Sequence, residues 1–160
     1  MQITRATDYA TRVMIFLASL PPPGKAQSAA IARATDVPAS FLSKVMQRLV
    51  SAGLVTSSRG AGGGFGLAVP RDRITLLDIL ETMEGETRLN LCLADGPFCN
   101  RRSRCPAHPV WEEAQGVLVA VLRQASLEKL VQAASISTPK GQCDSERVSL
   151  IEAKDPGSLS

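Results

Sequence analysis

Apolar positions recur with helical spacing through the first third of the chain. In residues 6–20 they form a broad stripe that three consecutive prolines bring to an end. Two more helices are predicted after it: a short one over residues 29–35 with Ser28 as its cap, and an amphipathic one with Pro38 at its first position that Gly53 stops. Two helices separated by a tight turn, the second amphipathic, are typical of a helix-turn-helix.

Between Gly53 and Pro70 the pattern changes from helical to extended. Two short runs with strand propensity, LVTSS and FGLAV, flank the glycine-rich segment RGAGGG, and this arrangement predicts a hairpin. A helix-turn-helix followed by a hairpin is the winged-helix arrangement. The glycines do not indicate a nucleotide site, because the segment lacks both glycine-rich phosphate-binding motifs and precedes a strand instead of a helix.

The second half of the chain returns to helical spacing. Thr75 and Asp78 form a capping-box pattern before a helix predicted over residues 76–83, which Gly85 ends. Pro109 begins the longest predicted helix, over residues 110–124. Ser126 then caps a last helix over residues 127–134. From residue 137 onward polar residues, glycine and proline dominate, which predicts a mobile tail.

The long helix after Pro109 has an unusually wide apolar face. Its apolar positions are Trp111, Ala114, Val117, Leu118, Val121 and Leu122, with Val119 and Ala120 beside them. Such a face needs a partner, and a second copy of the chain is the simplest one. Packing within one monomer remains the alternative.

The predicted fold class is therefore mainly α with a small β-hairpin: a winged helix-turn-helix plus a long dimerisation helix. In chain order the predicted parts are a winged-helix DNA-binding domain at 1–84, a cysteine-containing loop at 85–108, the dimerisation helix and C-terminal helix at 109–136, and the tail at 137–160. Aromatic residues make up only 4% of the chain, so the core must be mostly aliphatic, which favours closely packed helices.

The charges are distributed unevenly along the chain. Residues 1–73 hold nine Lys or Arg and three Asp or Glu, whereas residues 74–160 hold nine and twelve. A basic N-terminal part indicates contact with a polyanion, for which nucleic acid is the obvious candidate. A chance excess of solvated charge is the alternative.

The side chains that would contact double-stranded DNA follow from the helix-turn-helix geometry. Serine and glutamine can contact base edges, while lysine and arginine can contact phosphates, although Arg48 could instead be plain solvated surface. At the wing tip, glycines allow close approach to the DNA backbone, and the arginine where this tip begins could enter a minor groove. The candidates are Ser40, Ser43, Lys44, Gln47 and Arg48 in the second helix, and Arg59, Gly60, Gly62 and Gly63 in the wing.

No segment reads as a membrane span. The apolar run at 13–20 is short, has Asp8 where a basic leader is expected, and precedes prolines instead of a cleavage site. No other run approaches the roughly 20 apolar residues needed to cross a bilayer. The expected location is the cytoplasm, where thiols stay reduced and grouped cysteines indicate metal ligation better than disulfides.

Three of the four cysteines and the only histidine fall in the segment CLADGPFCNRRSRCPAH. Cys92, Cys99 and Cys105 are seven and six residues apart, without the closely spaced pair that structural zinc sites usually contain. Wider spacing suits a bulkier iron–sulfur cluster held by thiolates, while zinc and uncoordinated thiols stay open. Cys143 lies in the predicted tail and is taken as a bystander.

Three cysteines leave a tetrahedral ligand set one short. His108 is the local candidate, although it could simply precede the helix that Pro109 begins. Asp8 is the remote candidate, although an acid near a helix N-terminus is favoured by the macrodipole alone. Asp8 is preferred here, because a carboxylate is a harder and weaker ligand that would leave a labile iron open to a diatomic gas. It would also connect the cluster to the first helix.

Several motifs together resemble one bacterial family. They are MQITRATDYA, the helix-turn-helix VPASFLSKVMQRLVSAGLV, the wing SSRGAGGGFGLAVP, ITLLDILETMEG and the three-cysteine loop. Over about residues 1–134 the chain is similar to the winged-helix regulators that include the iron–sulfur cluster regulator and the nitric-oxide-sensitive repressor. The resemblance implies dimers that pair through the long helix and three cysteines that bind a 2Fe–2S or 4Fe–4S cluster.

The resemblance leaves the fourth ligand open. His108 matches the histidine in the cluster regulator's motif, and Asp8 matches the acid that nitric-oxide-sensitive repressors supply from the partner subunit's first helix. Ser43 stands where the cluster regulator has a glutamate, so the operator preference should differ.

The sequence thus predicts a homodimeric DNA-binding repressor that senses redox state, nitric oxide or another oxidant, or iron–sulfur supply through a cluster. The alternatives are a zinc-bound or cluster-free winged-helix regulator, and an iron–sulfur carrier or electron-transfer protein. An enzyme is not expected, because one histidine and no nucleophile–base pair offer no reaction.

Overall fold

The computed structural model describes residues 3–21, 24–60, 62–94 and 99–136. Within these residues the chain forms six α-helices and three short β-strands. They are α1 (Arg5–Ser19), β1 (Lys25–Ala26), α2 (Ser28–Thr35), α3 (Ala39–Ser51), β2 (Val55–Ser58), β3 (Gly64–Leu67), α4 (Leu76–Glu84), α5 (His108–Gln124) and α6 (Leu127–Ile136). Two 3-10 turns, Leu91–Leu93 and Arg102–Arg104, lie between α4 and α5. The predicted tail lies outside the described residues.

The fold class is confirmed, with one strand more than the predicted hairpin. The three strands form an antiparallel sheet in the order β1-β3-β2. A strand of two residues is too short to show an alternating pattern, so β1 left no signal in the sequence. A Cβ on Gly66 would lie 2.8 Å from the carbonyl oxygen of Gly24, so glycine is needed where β3 pairs with the start of β1.

Two predicted helix starts were wrong in detail. Ser28 is the first residue of α2 and not its cap; Gln27 holds the cap position and makes no side-chain capping bond. Pro38 holds the cap position of α3 instead of its first helical position. The turn between these helices depends on Asp36, whose φ of 53° lies in the left-handed region that aspartate tolerates better than most residues.

The other helix boundaries follow the predicted signals closely. Both halves of the capping box on α4 are formed by Thr75 and Asp78. The hydroxyl of Ser126 accepts the backbone N–H of Lys129 at 3.4 Å and so caps α6. The longest helix begins at His108, one residue before the proline that predicted it.

The aliphatic core lies around α1. Its largest fully buried side chains are Met14, Ile31, Leu42, Leu49, Ile74, Ile79, Leu127, Val13, Val45 and Val55. Helix α1 packs against α2, α3, α4, α6 and β3. All the elements of the winged helix therefore share one core, which is mostly aliphatic as the low aromatic content predicted.

The last helix returns to this core. The N–H of Leu127 donates to the carbonyl of Ile74 at 2.8 Å, and the N–H of Leu76 donates to the carbonyl of Ala125 at 2.9 Å. Leu127 itself is fully buried. By contrast, α5 packs on α4 and has no buried residue along its 17 positions. In the described part of the chain, no helix is long and apolar enough to cross a membrane.

Candidate nucleic-acid interface and cysteine loop

The helix α3 separates core and solvent faces cleanly. Leu42, Val45, Met46 and Leu49 are buried, each no more than 3% exposed. The five predicted DNA-contacting residues of this helix lie on the opposite, solvent-exposed side: Ser40, Ser43, Lys44, Gln47 and Arg48. The helix therefore offers hydroxyl, amide and cationic groups to a ligand on its outer face.

An aromatic pair joins this helix to α1. The rings of Tyr9 and Phe41 meet edge to face, with centroids 5.7 Å apart. Phe41 precedes Leu42 and follows Ser40, so the contact lies at the first turn of α3, where a recognition helix approaches base edges. The orientation of this turn therefore depends on the position of α1.

The wing is a tight hairpin between β2 and β3. Arg59, Gly60 and Gly62 are exposed at its tip, and Gly63 is partly buried; residue 61 lies outside the described residues. Gly60 has a φ of 105°, and a Cβ on Gly63 would lie 2.4 Å from the carbonyl oxygen of Ser58. Gly60 and Gly63 are thus required by the backbone geometry of the hairpin, independently of any contact that the wing makes.

The segment that leads from α4 to the first cysteine is held by two side chains. The Oε1 of Gln115 on α5 accepts the N–H of Leu89 at 2.8 Å, and its Nε2 donates to the carbonyl of Thr87. The Oε1 of Glu81 on α4 accepts the N–H of Thr87 at 3.3 Å. The start of the cysteine loop is therefore connected to both α4 and α5.

The three loop cysteines are all partly buried and none forms a disulfide. Cys92 lies in the first 3-10 turn, and Cys105 follows the second. Residues 95–98, between Cys92 and Cys99, are outside the described residues, as is Cys143. Among the residues that are described, no three His, Cys, Asp or Glu side chains lie close enough together to hold a metal ion. The three predicted cysteine ligands therefore share one loop, and the described residues do not form an assembled set.

His108 is engaged through one ring nitrogen. The Nε of Arg102 donates to its Nε2 at 3.1 Å, and a guanidinium can only donate, so Nε2 must be the acceptor. The other nitrogen, Nδ1, is buried and has no hydrogen-bond partner among the described residues. Coordination through Nε2 would require Arg102 to move away.

Asp8 lies on the outer side of α1. Its carboxylate pairs with Arg12 one turn later at 2.7 Å, and both side chains are about half exposed. A solvent-exposed pair of this kind contributes only about 0.3–0.5 kcal/mol. The carboxylate is therefore free to exchange Arg12 for another cation at small cost.

The apolar face of α5 is open to solvent in the single chain. Val110, Val117 and Val121 are 63%, 61% and 61% exposed, and Trp111 is 41% exposed. Val110, Ala114, Val117 and Val121 share one side and line a shallow groove with Leu118 and Glu113. A contiguous apolar surface of this kind marks an interaction site.

Glu84 was not among the residues predicted to be functional. Its Oε1 accepts the N–H of Thr4 at 3.1 Å, the hydroxyl of Thr4 at 2.6 Å and the hydroxyl of Thr7. The hydrogen bonds from the Thr4 and Thr7 side chains, with a contribution from the charge of Arg48, hold the pKa of Glu84 below its ordinary value. Contacts between residues about 80 positions apart leave no local pattern, so only the fold reveals them.

A helix-turn-helix with an exposed polar and basic second helix, beside a hairpin with an arginine at its tip, defines a winged-helix DNA-binding regulator. Comparison with known proteins agrees. The chain belongs to the Rrf2 family, described as iron-dependent transcriptional regulators, whose profile matches residues 3–133. The resemblance identified in the sequence is confirmed, and so is the expectation of a regulator in place of an enzyme.

Individual relatives cover most of the chain. Protein aau3 of Rhizobium meliloti is 32% identical over 136 residues, which are 83% of this chain and 86% of that protein. The structure of CymR, the global cysteine regulator of B. subtilis, matches with a TM-score of 0.69 at 28% identity, covering 83% of this chain and 98% of CymR. The structure of T. potens IscR shares the fold with a TM-score of 0.69 at 24% identity, covering 88% of this chain and 94% of IscR.

Proposed function

We propose that this chain is a homodimeric repressor whose affinity for its DNA operator is set by an iron–sulfur cluster held by Cys92, Cys99 and Cys105. The signal would be redox state, nitric oxide or another oxidant, or the supply of clusters. The observation that carries the proposal is the loop itself. It places three unbridged, partly buried thiols on one segment that is hydrogen-bonded to both α4 and α5.

The donor chemistry fits an iron–sulfur cluster. Thiolates are the usual ligands of such clusters, and the loop also carries Arg101, Arg102 and Arg104, all exposed. Their positive charge would compensate the negative charge of a thiolate-ligated centre. When bound, the cluster would supply an iron centre that reacts with oxidants or nitric oxide. The family description as iron-dependent supports the same metal.

For the fourth ligand we favour Asp8, supplied from the first helix of a partner subunit. The carboxylate of Asp8 gives up only an exposed ion pair, and as a hard and weak ligand it would leave the iron open to a diatomic gas. Asp8→Ala and His108→Ala, compared by anaerobic absorption spectrum and DNA affinity, test this choice. A changed spectrum in His108→Ala alone would reverse it.

The dimer is proposed to form through α5. Its exposed valines and Trp111 would be covered by the same face of a second copy, which is the usual symmetric arrangement. A dimer would also present two recognition helices to two half-sites of an operator.

A cluster-free thiol regulator is the second candidate. It is favoured by the absence of an assembled ligand set in the described residues, and by the likeness to CymR, which is a cysteine regulator. In this version the three thiols respond to oxidants directly. Zinc is less well supported, because the closely spaced cysteine pair is missing.

One experiment separates these functions. Protein purified without oxygen is assayed for iron, acid-labile sulfide and zinc, and for binding to a DNA fragment from its own promoter before and after metal removal. Iron and sulfide in similar amounts, with DNA affinity that changes on removal, support the proposal. Metal-free protein that binds DNA in a thiol-dependent way supports the second candidate. Bound cluster without salt-dependent DNA affinity would indicate a carrier or electron-transfer protein.

A further inference from the structure

Glu84 joins two helices that are distant in sequence. It is the last residue of α4, and one of its carboxylate oxygens accepts hydrogen bonds from the backbone of Thr4 and from the hydroxyls of Thr4 and Thr7. Thr7 is only 2% exposed, so its hydroxyl needs partners within the protein, and these are the carboxylate of Glu84 and, at 3.4 Å, the hydroxyl of Thr4. The position of the first turn of α1 is therefore set by the end of α4.

The electrostatics strengthen this connection. The first turn of α1 carries the partial positive charge of a helix N-terminus, and an anion placed there is stabilised. The hydrogen bonds from Thr4 and Thr7, and then the charge of Arg48, keep the pKa of Glu84 lowered, so the carboxylate is ionised at neutral pH. Arg48 lies on the exposed face of α3, beside the other candidate DNA contacts.

The chain that follows Glu84 leads directly to the cysteine loop. Gly85 ends α4 with a φ of 86°, and Thr87 and Leu89 are then held by Glu81 and Gln115. Cys92 follows within eight residues of Glu84. The cysteine loop and the end of α4 are therefore joined by a short, hydrogen-bonded segment.

Two parts of the molecule thus meet at Glu84: the segment that leads to Cys92 begins directly after it, and the first turn of α1 is hydrogen-bonded to its carboxylate. Helix α1 in turn contacts the first turn of α3 through the rings of Tyr9 and Phe41. We propose that Glu84 is a positioning residue that couples the state of the cysteine loop to DNA affinity, by holding the first turn of α1 in the arrangement that α3 needs. This inference rests on the proposed function, because it requires that DNA affinity depends on the cluster.

The test compares DNA affinity in the cluster-loaded and cluster-free forms of the full chain, measured by fluorescence anisotropy with a labelled promoter fragment. The ratio of the two dissociation constants expresses the coupling, for which regulators typically show about 5–150-fold. In Glu84→Ala this ratio should fall toward one, while iron content and dimer mass stay those of the unaltered protein. Glu128→Ala is the matched control: it removes an equal charge outside the segment that joins α4 to the cysteine loop, from a carboxylate that pairs with Arg71 at 3.7 Å.

The outcomes distinguish the two proposals. A merely structural Glu84 would weaken DNA binding equally in both forms and leave the ratio unchanged, which would overturn this inference alone. A ratio of one in the unaltered protein would overturn the cluster-dependent function and this inference with it. If Glu84→Ala does not fold, Glu84→Gln and Thr7→Val replace it, because each keeps the side-chain shape while removing the charge or one hydrogen bond. A ratio that both variants retain in full overturns the inference equally.

Discussion

The winged-helix body and the segment formed by the cysteine loop and α5 differ in how much of their apolar surface a single chain buries. In the body, α1 and the helices around it bury their apolar side chains, and even the final helix returns to place Leu127 in the core. In the second segment, α5 has no buried residue, Leu91 is 73% exposed, and no metal-binding group of three side chains is formed among the residues that the structure describes. A single chain thus buries the apolar side chains of the body, whereas the second segment keeps an exposed apolar face and three unbridged thiols, for which we propose a second copy of the chain and a cluster.

The largest expected effect is loss of the dimer on changing the exposed face of α5. Val117→Glu places a charge in the proposed seam, and because Val117 is 61% exposed in the single chain, the monomer should still fold. Sedimentation should show monomers. Arg123→Glu, an exposed charge change on another side of the helix, should remain dimeric. A dimer that persists in Val117→Glu would place the interface elsewhere.

The next effect concerns the cysteines. Cys92→Ala, Cys99→Ala and Cys105→Ala should each lose most of their iron when purified without oxygen, because each removes one thiolate from the proposed ligand set. Cys143→Ala should retain it, since that residue lies in the predicted tail. Full iron in any one of the three loop variants would remove that cysteine from the set.

The contrast between the two regions can also be measured as stability. Leu127→Ala should lower the free energy of unfolding by about 2–5 kcal/mol, because it leaves a cavity in the core. Leu91→Ala, the same change at an exposed position in the cysteine loop, should cost no more than about 0.5 kcal/mol. Urea unfolding of the cluster-free protein measures both. Equal losses of unfolding free energy would contradict the difference in side-chain burial between the two regions.

The DNA-facing surface should respond more modestly and in two different ways. Lys44→Ala should weaken binding to all sequences and reduce the slope of affinity against salt by about one, as expected for one lost phosphate contact. Arg59→Ala should cost most where the sequence under the wing is rich in A and T, because a narrow minor groove attracts arginine. Equal, sequence-independent losses from both changes would contradict this docking.

The smallest effect is the pH dependence that Glu84 contributes. Hydrogen bonds from Thr4 and Thr7 lower its pKa in the folded state relative to the unfolded chain, where it should be about 4.3. Its contribution to stability is therefore complete above that value and is lost as the pH falls through the lowered, folded-state pKa. The stability difference between the unaltered protein and Glu84→Gln should be constant at higher pH and should shrink as the pH falls below about 4.3. A difference that does not change with pH would contradict the assignment.

Local patterns were sufficient for most of the helices and for the hairpin. The capping box at Thr75 and Asp78, the glycine that ends α3 and the proline near the start of α5 all act on neighbouring backbone groups, so their sequence positions predict their structural positions. The apolar spacing of α3 likewise separated the buried side from the side that carries Ser43, Lys44 and Gln47. The sequence by itself thus determined the winged-helix class and the cysteine loop.

Other features depend on residues that meet only after folding. The two-residue strand β1 exists because β3 lies beside it, and the burial of Leu127 depends on the return of α6 to α1. Glu84 contacts Thr4 and Thr7, which are about 80 residues away in the sequence. Arg102 donates a hydrogen bond to His108, the histidine that sequence spacing alone suggested as a ligand. Sequence patterns over a few residues reflect the hydrogen bonding and amphipathicity of a single helix or strand. Which side chains from different elements contact each other is decided by packing, and this is visible only in the tertiary structure.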